Sequence, residues 1–459
     1  MSRGHFALLA LSFVGLCSFS TSASPNASIA VVGAGFAGLS AVGRLRELGF
    51  QDITVFEALD RYGGRVHSIP FGKGRLQQGA QWVNGRHNEI YRIAEALGLI
   101  VREEPDSDIF AEADIYAGNC GLTKSLIKEF YDFALTLEDK YKSTGEEAAN
   151  WAQELNLLDA LSQFFMGFWK GEYGAFQDYA FANFELWDDG DGESASFALN
   201  EIGYQAISDY LKSFVPDNLI KYNHLVKAVD YTGDKVSLTI TANGTTETYP
   251  KQFDHVIVTS ALGHLKKYAK TMFSPPLPPK KLEAIDAIGY GNFLKIFLVY
   301  EHPWWNYNGS VIAALRVKGC ANTPTLMEHF HTFQALDWQD NVLVAWLSDQ
   351  GPIQVDDVPD GLLVNLITGH LRQTMQNPQI PLPKEIIRAH WVSDDLFRGT
   401  YFYVSTRSAI LPGGGYPAMA EPVGSKVLFA GEATHSNMYQ TTVGAYESGR
   451  REAERVLEL

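Results

Sequence analysis

Three glycines and one acid near the start of the chain have the types and spacing that a phosphate-bearing nucleotide requires. Gly33, Gly35 and Gly38 follow an apolar stretch over residues 28–32. Glu57 ends a second apolar stretch, 19 residues after the last of these glycines. The first glycine allows a tight turn, the second lets backbone N–H groups approach a pyrophosphate, and the third lets a helix pack on the strand. With an acid that can bind both ribose hydroxyls, this order predicts a complete dinucleotide-binding unit rather than an isolated glycine turn.

A second glycine turn supplies a cation for the diphosphate. It reads Arg61-Tyr62-Gly63-Gly64-Arg65, and the guanidinium of Arg65 can hold a diphosphate through two hydrogen bonds. A short way beyond it, Gly79-Ala80-Gln81-Trp82 offers Trp82 as a flat apolar wall. The segment is therefore suited to a dinucleotide that carries a ring system at one end.

The C-terminal part of the chain reads as a strand, a loop and a helix. Residues 427–430 predict a buried strand, and residues 444–457 predict an amphipathic helix. Gly431 and Glu432 follow the strand, and Thr441-Thr442-Val443 precede the helix. A helix N-terminus carries unpaired N–H groups and a partial positive charge, so it favours an anionic group nearby. The alternative is that this helix only completes an α/β domain and binds no cofactor.

Lys295 stands out because its neighbours are apolar. It lies between Phe293 and Phe297 on one face of a predicted strand. A lysine on a buried face costs free energy, and its pKa should be depressed, so such a residue is a candidate for chemistry. An edge strand with an outward lysine that discourages aggregation is an equally good interpretation of the pattern alone.

These segments together resemble the flavin-containing amine oxidases, in which the glycine fingerprint, the ribose acid and the Arg-x-Gly-Gly-Arg turn occur in the same order. The resemblance covers essentially the whole chain after residue 23 and is nearest to the animal polyamine oxidases of spermine and acetylpolyamines. It implies FAD as the cofactor. Residues 413–416 contain no cysteine, which argues for FAD held without a covalent bond. The cofactor contacts implied by the resemblance are Gly33, Gly35, Phe36, Ala37, Gly38, Glu57, Ala58, Arg65, Gly79, Ala80, Gln81, Trp82, Val226, Trp391, Gly431, Glu432, Thr441, Thr442 and Val443.

The resemblance also implies which residues meet the substrate and oxygen. The family places a lysine in this context, hydrogen-bonded through water to flavin N5, so Lys295 is assigned a catalytic role in oxygen activation. Tyr401 and Tyr403 are assigned to the substrate, with a preference for Tyr403 and with core packing as the alternative. Asn84 is also assigned to the substrate; animal polyamine oxidases usually have histidine there, whereas asparagine cannot titrate near neutral pH. Thr441 likewise stands where monoamine oxidases have tyrosine, and both departures bear on substrate choice.

The order of predicted elements indicates an α/β fold built from two interleaved domains. The resemblance implies a Rossmann-like FAD-binding domain of the GR2 type and an α+β substrate-binding domain. We assign residues 24–87, 201–270 and 396–459 to the FAD-binding domain. We assign residues 88–200 and 271–395 to the substrate-binding domain. The active site is expected where the two meet.

The composition predicts a globular protein and disfavours two classes of partner. The 459 residues are 46% hydrophobic and 20% charged, so the chain can bury a large core. The formal net charge of −16 disfavours nucleic acid and anionic membranes. Such a charge would attract cationic small molecules, although an acidic surface serves solubility equally well. No metal site is expected, and the oligomeric state stays open.

The first 23 residues read as a cleavable secretory signal. Arg3 and His5 precede an apolar run that is too short to span a bilayer comfortably, and small residues follow it. An uncleaved anchor is the alternative. Sequons at Asn26, Asn243 and Asn308 are compatible with the secretory pathway, and the two cysteines left after cleavage can pair or stay as thiols. We therefore expect a secreted protein without stable membrane insertion.

The expected activity is FAD-dependent oxidation of an amine, with spermine, spermidine or their N-acetylated forms as the favoured substrates. Hydride passes from the amine α-carbon to flavin N5, and oxygen then takes the electrons, giving an aldehyde, an amine and hydrogen peroxide. One alternative is oxidation of a monoamine or an amino acid, and for an amino acid Arg316, Arg372 or Arg388 would have to bind the carboxylate. The other is a secreted FAD-binding protein without catalytic turnover.

Overall fold

The computed structural model describes residues 26–104, 113–119, 125, 128, 132, 136, 178–180, 186–188, 195–306, 310–316 and 322–459. The predicted leader, both later cysteines and the sequon at Asn308 lie outside these residues. The expectations made for them stay predictions.

The described chain contains both strands and helices. The strands are β1 (Ile29–Val32), β2 (Ile53–Phe56), β3 (Ser68–Phe71), β4 (Gly74–Gln77), β5 (Trp82–Asn84), β6 (Ile100–Glu104), β7 (Asp114–Tyr116), β8 (Ser196–Leu199), β9 (Ile220–Lys221), β10 (His224–Asp230), β11 (Ser237–Ala242), β12 (Thr245–Thr248), β13 (His255–Val258), β14 (Phe273–Ser274), β15 (Gly289–Gly291), β16 (Phe293–Val299), β17 (Val311–Ala314), β18 (Thr332–Ala335), β19 (Val342–Ser348), β20 (Glu385–Arg388), β21 (Tyr401–Tyr403) and β22 (Val427–Phe429). The α-helices are α1 (Phe36–Glu47), α2 (Glu89–Ala96), α3 (Tyr204–Ser213), α4 (Leu262–Met272), α5 (Pro279–Ala287), α6 (Gln350–Val355), α7 (Asp360–Thr374), α8 (Tyr416–Ala420) and α9 (Thr442–Glu458).

A five-stranded parallel sheet, in the order β22-β13-β1-β2-β9, carries the predicted nucleotide site. Strands β1, β2, β13 and β22 are buried along their whole length, as is usual for parallel strands covered on both faces. Helix α1 packs tightly on α9, and a Cβ at Gly449 would overlap the Ala37 carbonyl oxygen. These strands come from three separate parts of the chain that lie inside the predicted FAD-domain segments, although the domain boundaries themselves stay predictions.

A six-stranded sheet in the order β20-β16-β19-β18-β17-β7 carries Lys295. Strand β16 lies between β20 and β19 and is antiparallel to both, and Lys295 pairs with Trp346 across β19. The interpretation of this strand as a sheet edge is therefore wrong. Lys295 is only 3% exposed, so the strand buries an amine instead of presenting it to solvent.

Smaller sheets connect these two. Strand β5 pairs with β8, which pairs with β6, and this places Trp82 opposite Ala198 and Asn84 opposite Ser196. The predicted hairpin forms between β11 and β12, with positive φ at both Asn243 and Gly244, as a tight two-residue turn requires.

Among the described residues, no helix is both long enough and apolar enough to cross a bilayer.

Candidate active site

The two glycine turns face each other at the end of β1. Gly63 N donates to the Ala34 carbonyl oxygen at 2.9 Å, and Gly35 and Gly63 form an isolated parallel bridge. Gly33 has a φ of +104°, and a Cβ at Gly38 would overlap the Gly33 carbonyl oxygen, so both positions need glycine. A Cβ at Gly35 would meet nothing nearer than 4.0 Å. Open space therefore lies beside Gly35, where α1 begins without a side-chain cap.

Glu57 is a buried carboxylate at the end of β2, beside this space. Its two oxygens accept hydrogen bonds from Ala34 N at 2.7 Å and Leu59 N at 2.8 Å. Burial raises the pKa of Glu57, against the backbone N–H groups of Leu59, Ala34 and Ala58, which lower it. Each oxygen has a further lone pair, so the carboxylate can also accept hydrogen bonds from a pair of hydroxyls.

Arg65 and Glu432 join the N-terminal and C-terminal parts of the site. Arg65 Nη1 donates to Glu432 Oε1 at 3.0 Å, to Tyr290 Oη at 3.3 Å and to the Thr400 carbonyl oxygen. Glu432 is 4% exposed, and its other oxygen accepts from Gln440 N at 3.2 Å. A Cβ at Gly431 would meet nothing within 4 Å, so open space lies beside this pair as well.

Helix α9 starts beside the Trp82 segment. Thr441 caps it, since its Oγ1 accepts from Gly444 N at 3.0 Å. The Tyr204 hydroxyl lies 2.8 Å from Thr442 Oγ1 and donates to the Trp82 carbonyl oxygen at 2.8 Å. Val443, the next residue of the helix, is buried. The sequence placed the helix start two residues later, and the cap explains the earlier start.

Lys295 connects the six-stranded sheet to the segment that contains Gly79 and Gln81. Its Nζ donates to the Gly79 carbonyl oxygen at 2.6 Å and to Gln81 Oε1 at 3.0 Å, and it lies 5.5 Å from the centre of the Trp346 ring. Burial lowers the pKa of Lys295 from its ordinary value to about 7. The Lys295 amine therefore gains or loses its proton near neutral pH.

Trp346, which lies beside this lysine, belongs to a group of four aromatic side chains in contact with one another. We call them the aromatic cluster: Trp82, Trp346, Phe293 and Tyr401. The Trp82 and Trp346 rings stack at 5.3 Å with an interplanar angle of 19°. Phe293 lies 5.6 Å from Trp346 and 6.3 Å from Tyr401, measured between ring centres. The cluster can hold a flexible apolar chain with a cationic end, because aromatic faces attract both.

Comparison with known proteins decides the family. The sequence pattern of the family described as flavin containing amine oxidoreductase matches residues 36–457, which is most of the chain. The chain belongs to this family. It is therefore an amine oxidase with an FAD-binding fold, and its cofactor is FAD. The prediction of an α/β fold is confirmed in this general form, whereas the GR2 type stays a prediction.

The relatives of this amine oxidase include proteins that are named as polyamine oxidases. The chain is 29% identical over 494 residues to the peroxisomal N(1)-acetyl-spermine/spermidine oxidase of Bos taurus, covering 94% of each protein. It is 27% identical over 544 residues to probable polyamine oxidase 5 of Arabidopsis thaliana, covering 94% of this chain and 98% of the relative. It is also 28% identical over 464 residues to lysine-specific histone demethylase 1B of Mus musculus, covering 94% of this chain and 53% of the relative.

The described residues of the amine oxidase fit FAD. The space beside Gly35 and the uncapped start of α1 suit the diphosphate, and Glu57 suits the adenosine ribose. Arg65 supplies a guanidinium whose Nη1 is engaged by Glu432. A second open space lies beside Gly431. The buried acid, the glycine-lined space and the guanidinium are the donors and acceptors that a flavin dinucleotide needs.

Tyr403 and Tyr401 have different surroundings. The Tyr403 side chain is 4% exposed, its ring occupies the space that a Cβ at Gly289 would need, and its hydroxyl donates to Asp178 Oδ2 at 3.1 Å. These contacts are typical of core packing, the alternative that the sequence left open. Tyr401, on the same strand, contacts Phe293, and the substrate role stays a prediction for both.

The structure also shows the contacts of three other predicted site residues. Trp391 is buried, and its Nε1 donates to the Gln78 carbonyl oxygen at 3.3 Å, one residue before the Gly79 segment. Val226 is buried in β10, which begins next to Glu57 through the bond from His224 N to the Glu57 carbonyl oxygen. Asn84 Nδ2 donates to Ser196 Oγ at 3.2 Å.

Sequence reasoning missed three residues of the site. Trp346 was within a predicted strand, but its position opposite Lys295 depends on the register of that strand with β16. Tyr204 and Tyr290 contact the Trp82 and Arg65 segments from more than a hundred residues away. No local pattern marks such contacts, and an aromatic residue at the start of a helix is an ordinary feature.

Replacing Tyr204 with phenylalanine is expected to destabilise the protein by about 1 kcal/mol. The hydroxyl is fully buried, and its loss leaves the Trp82 carbonyl oxygen without this donor. The midpoint of urea unfolding in excess FAD measures the effect. Tyr210→Phe, on the same helix and 38% exposed, is the matched control. Equal midpoints for the two variants would contradict the structural role given to Tyr204.

Proposed function

We propose that this amine oxidase acts on polyamines, including their N-acetylated forms. Bound FAD would supply the acceptor for a hydride from the carbon next to the amine nitrogen, with oxygen as the final electron acceptor and hydrogen peroxide as its product. Water then hydrolyses the imine to an aldehyde and a shorter amine. The residues of the chain bind and orient the amine, exclude water, and hold a cation beside the reacting groups.

The aromatic cluster is the observation that carries the proposal. Trp346 lies beside Lys295, and its ring contacts with Trp82 and Phe293, and through Phe293 with Tyr401, extend this apolar surface. Methylene chains pack well on such a surface, and an ammonium group gains about 1 to 2 kcal/mol over a desolvated aromatic face. The net charge of −16 attracts a polycation more strongly than a singly charged amine.

The arginines that an amino-acid oxidase would need are engaged elsewhere. Arg316 Nε donates to the Thr323 carbonyl oxygen at 3.1 Å, and Arg372 Nε donates to the Ile380 carbonyl oxygen at 2.7 Å. Arg388 pairs with Asp360 at 2.9 Å. None of these contacts involves a residue of the aromatic cluster, which favours a substrate without a carboxylate.

Anaerobic mixing of the oxidised enzyme with candidate amines tests the proposal. Spermine, spermidine or N-acetylspermine is expected to bleach the flavin absorbance at least tenfold faster than tyramine at equal concentration. Bleaching by tyramine or an amino acid alone would contradict polyamine specificity while leaving amine oxidation intact. An absence of bleaching by every amine would favour a protein without turnover.

Two variants connect the result to the cluster. Trp346→Leu removes one aromatic wall and is expected to raise the concentration of spermine needed for half-maximal bleaching by about tenfold, since one cation–π contact is lost. Trp338→Leu, outside the cluster, is the matched control. An equal effect of both changes would contradict recognition by the aromatic cluster.

A further inference from the structure

A chain of four hydrogen bonds links the loop before α9 to the first two turns of that helix. His435 Nε2 lies 3.0 Å from Glu447 Oε2, and Met438 N donates to His435 Nδ1 at 3.1 Å. Thr441 Oγ1 donates to the Met438 carbonyl oxygen at 2.7 Å. Gly444 N donates to Thr441 Oγ1 at 3.0 Å, which returns the chain to the helix.

The bond from Met438 fixes the role of Nδ1 of the histidine. A backbone N–H can only donate, so Nδ1 of His435 is the acceptor. Nε2 then faces Glu447. A side chain without an acceptor at the position of Nδ1 would lose the bond to Met438.

Packing leaves this loop little freedom. A Cβ at Gly444 would overlap the Met438 carbonyl oxygen and lie 3.0 Å from His435 Cβ. The His435 side chain is 13% exposed. A change at the histidine must therefore displace either the loop or the first turn of α9.

We propose that His435 is a positioning residue for FAD, which holds the N-terminus of α9 and the Glu432 loop against the cofactor through the acceptor at Nδ1. The loop also carries Gln440, whose N–H donates to Glu432 Oε2 at 3.2 Å, so loss of the Met438 bond reaches the acid that pairs with Arg65. The inference rests on FAD binding and not on polyamine specificity.

Other contacts hold the rest of the loop in place. Among the described residues, α9 contributes Glu447, which faces Nε2 of His435, and Arg451, which donates to the Thr434 carbonyl oxygen at 2.8 Å. From the segment 186–188, the Asp188 carbonyl oxygen accepts from Asn437 Nδ2 at 2.9 Å. Within the loop itself, Glu432 is paired with Arg65.

Release of FAD from the diluted holoenzyme, followed by flavin fluorescence at pH 7.5, tests the proposal. His435→Leu should release FAD about tenfold faster than wild type, the effect of losing one hydrogen bond of ordinary strength. His435→Asn keeps an oxygen near the position of Nδ1 that accepts from Met438, so it should release FAD within twofold of the wild-type rate.

A remote histidine provides the control. His390 Nδ1 lies 3.1 Å from Asp356 Oδ1, and His390→Leu should release FAD at the wild-type rate. Tenfold faster release from His435→Asn, or release at the wild-type rate from His435→Leu, would overturn the proposal, and the first result decides it even where His435→Leu fails to fold. No amine is used in the assay, so its outcome is separate from that of the substrate test.

Discussion

Lys295→Met is expected to slow the reaction of the reduced enzyme with oxygen by about a hundredfold, while flavin reduction by spermine changes less than threefold. Oxygen gains negative charge as it takes electrons, and a buried ammonium offsets that charge far better than water does. The structure buries Lys295 on the carbonyl oxygen of Gly79 and on Gln81, so the cation is fixed in place before the reaction. Stopped-flow mixing of reduced enzyme with oxygenated buffer measures the rate.

Lys281→Met is the matched control for this change. Lys281 is also a buried lysine, 2% exposed, and donates to the Ala418 and Met419 carbonyl oxygens at 2.7 Å each. It lies in α5, away from the aromatic cluster. Its replacement should change stability and leave the oxygen rate within twofold of wild type. Equal oxygen rates in wild type and Lys295→Met would overturn the role assigned to Lys295.

The pH dependence follows from the direction of the Lys295 pKa shift. Burial lowers this pKa from 10.5 to about 7, so the folded protein loses the proton at a lower pH than the unfolded chain. The rate of the reaction with oxygen should therefore fall as pH rises through about 7, because the Lys295 cation is lost. Lys295→Met should not show this decrease. The unfolded state binds more protons between these two values, so the Lys295 contribution to stability rises with pH there.

The sequence predicted local features of the site well. The glycine turn, α1, β2 and Glu57 form one continuous unit, so their spacing alone indicates a dinucleotide site. The hairpin at Asn243 is predictable for the same reason, because a turn of two residues needs positive φ at both. These features depend on neighbours in the chain, and the family match agrees with them.

Features that depend on distant pairing were harder to predict. The burial of Lys295 follows from the position of β16 inside its sheet, and the pattern of β16 alone allowed an edge. Tyr401 and Tyr403 alternate identically in sequence, yet only Tyr401 contacts Phe293, while Tyr403 packs over Gly289. The strand pair β15 and β21 decides between them, and that pairing is not readable from either strand.

Arg65→Met is expected to weaken FAD binding by about thirtyfold and to destabilise the protein by about 3 kcal/mol. The first effect is the loss of a charge-assisted contact with the diphosphate, of about 2 kcal/mol. The second arises because Glu432 is 4% exposed and would be left as a buried carboxylate without its cation. Because 25% of the Arg65 side chain is exposed, we expect a loss of stability at the lower end of the range for buried ion pairs.

The double variant Arg65→Met, Glu432→Gln separates these two effects. A neutral amide at position 432 needs no cation and can still accept from Gln440 N, so most of the lost stability should return. FAD affinity should stay low, because the guanidinium is still missing. Urea midpoints in saturating FAD report stability, and flavin fluorescence released on dilution reports affinity. Full recovery of both in the double variant would mean that Arg65 serves only Glu432 and has no contact with the diphosphate.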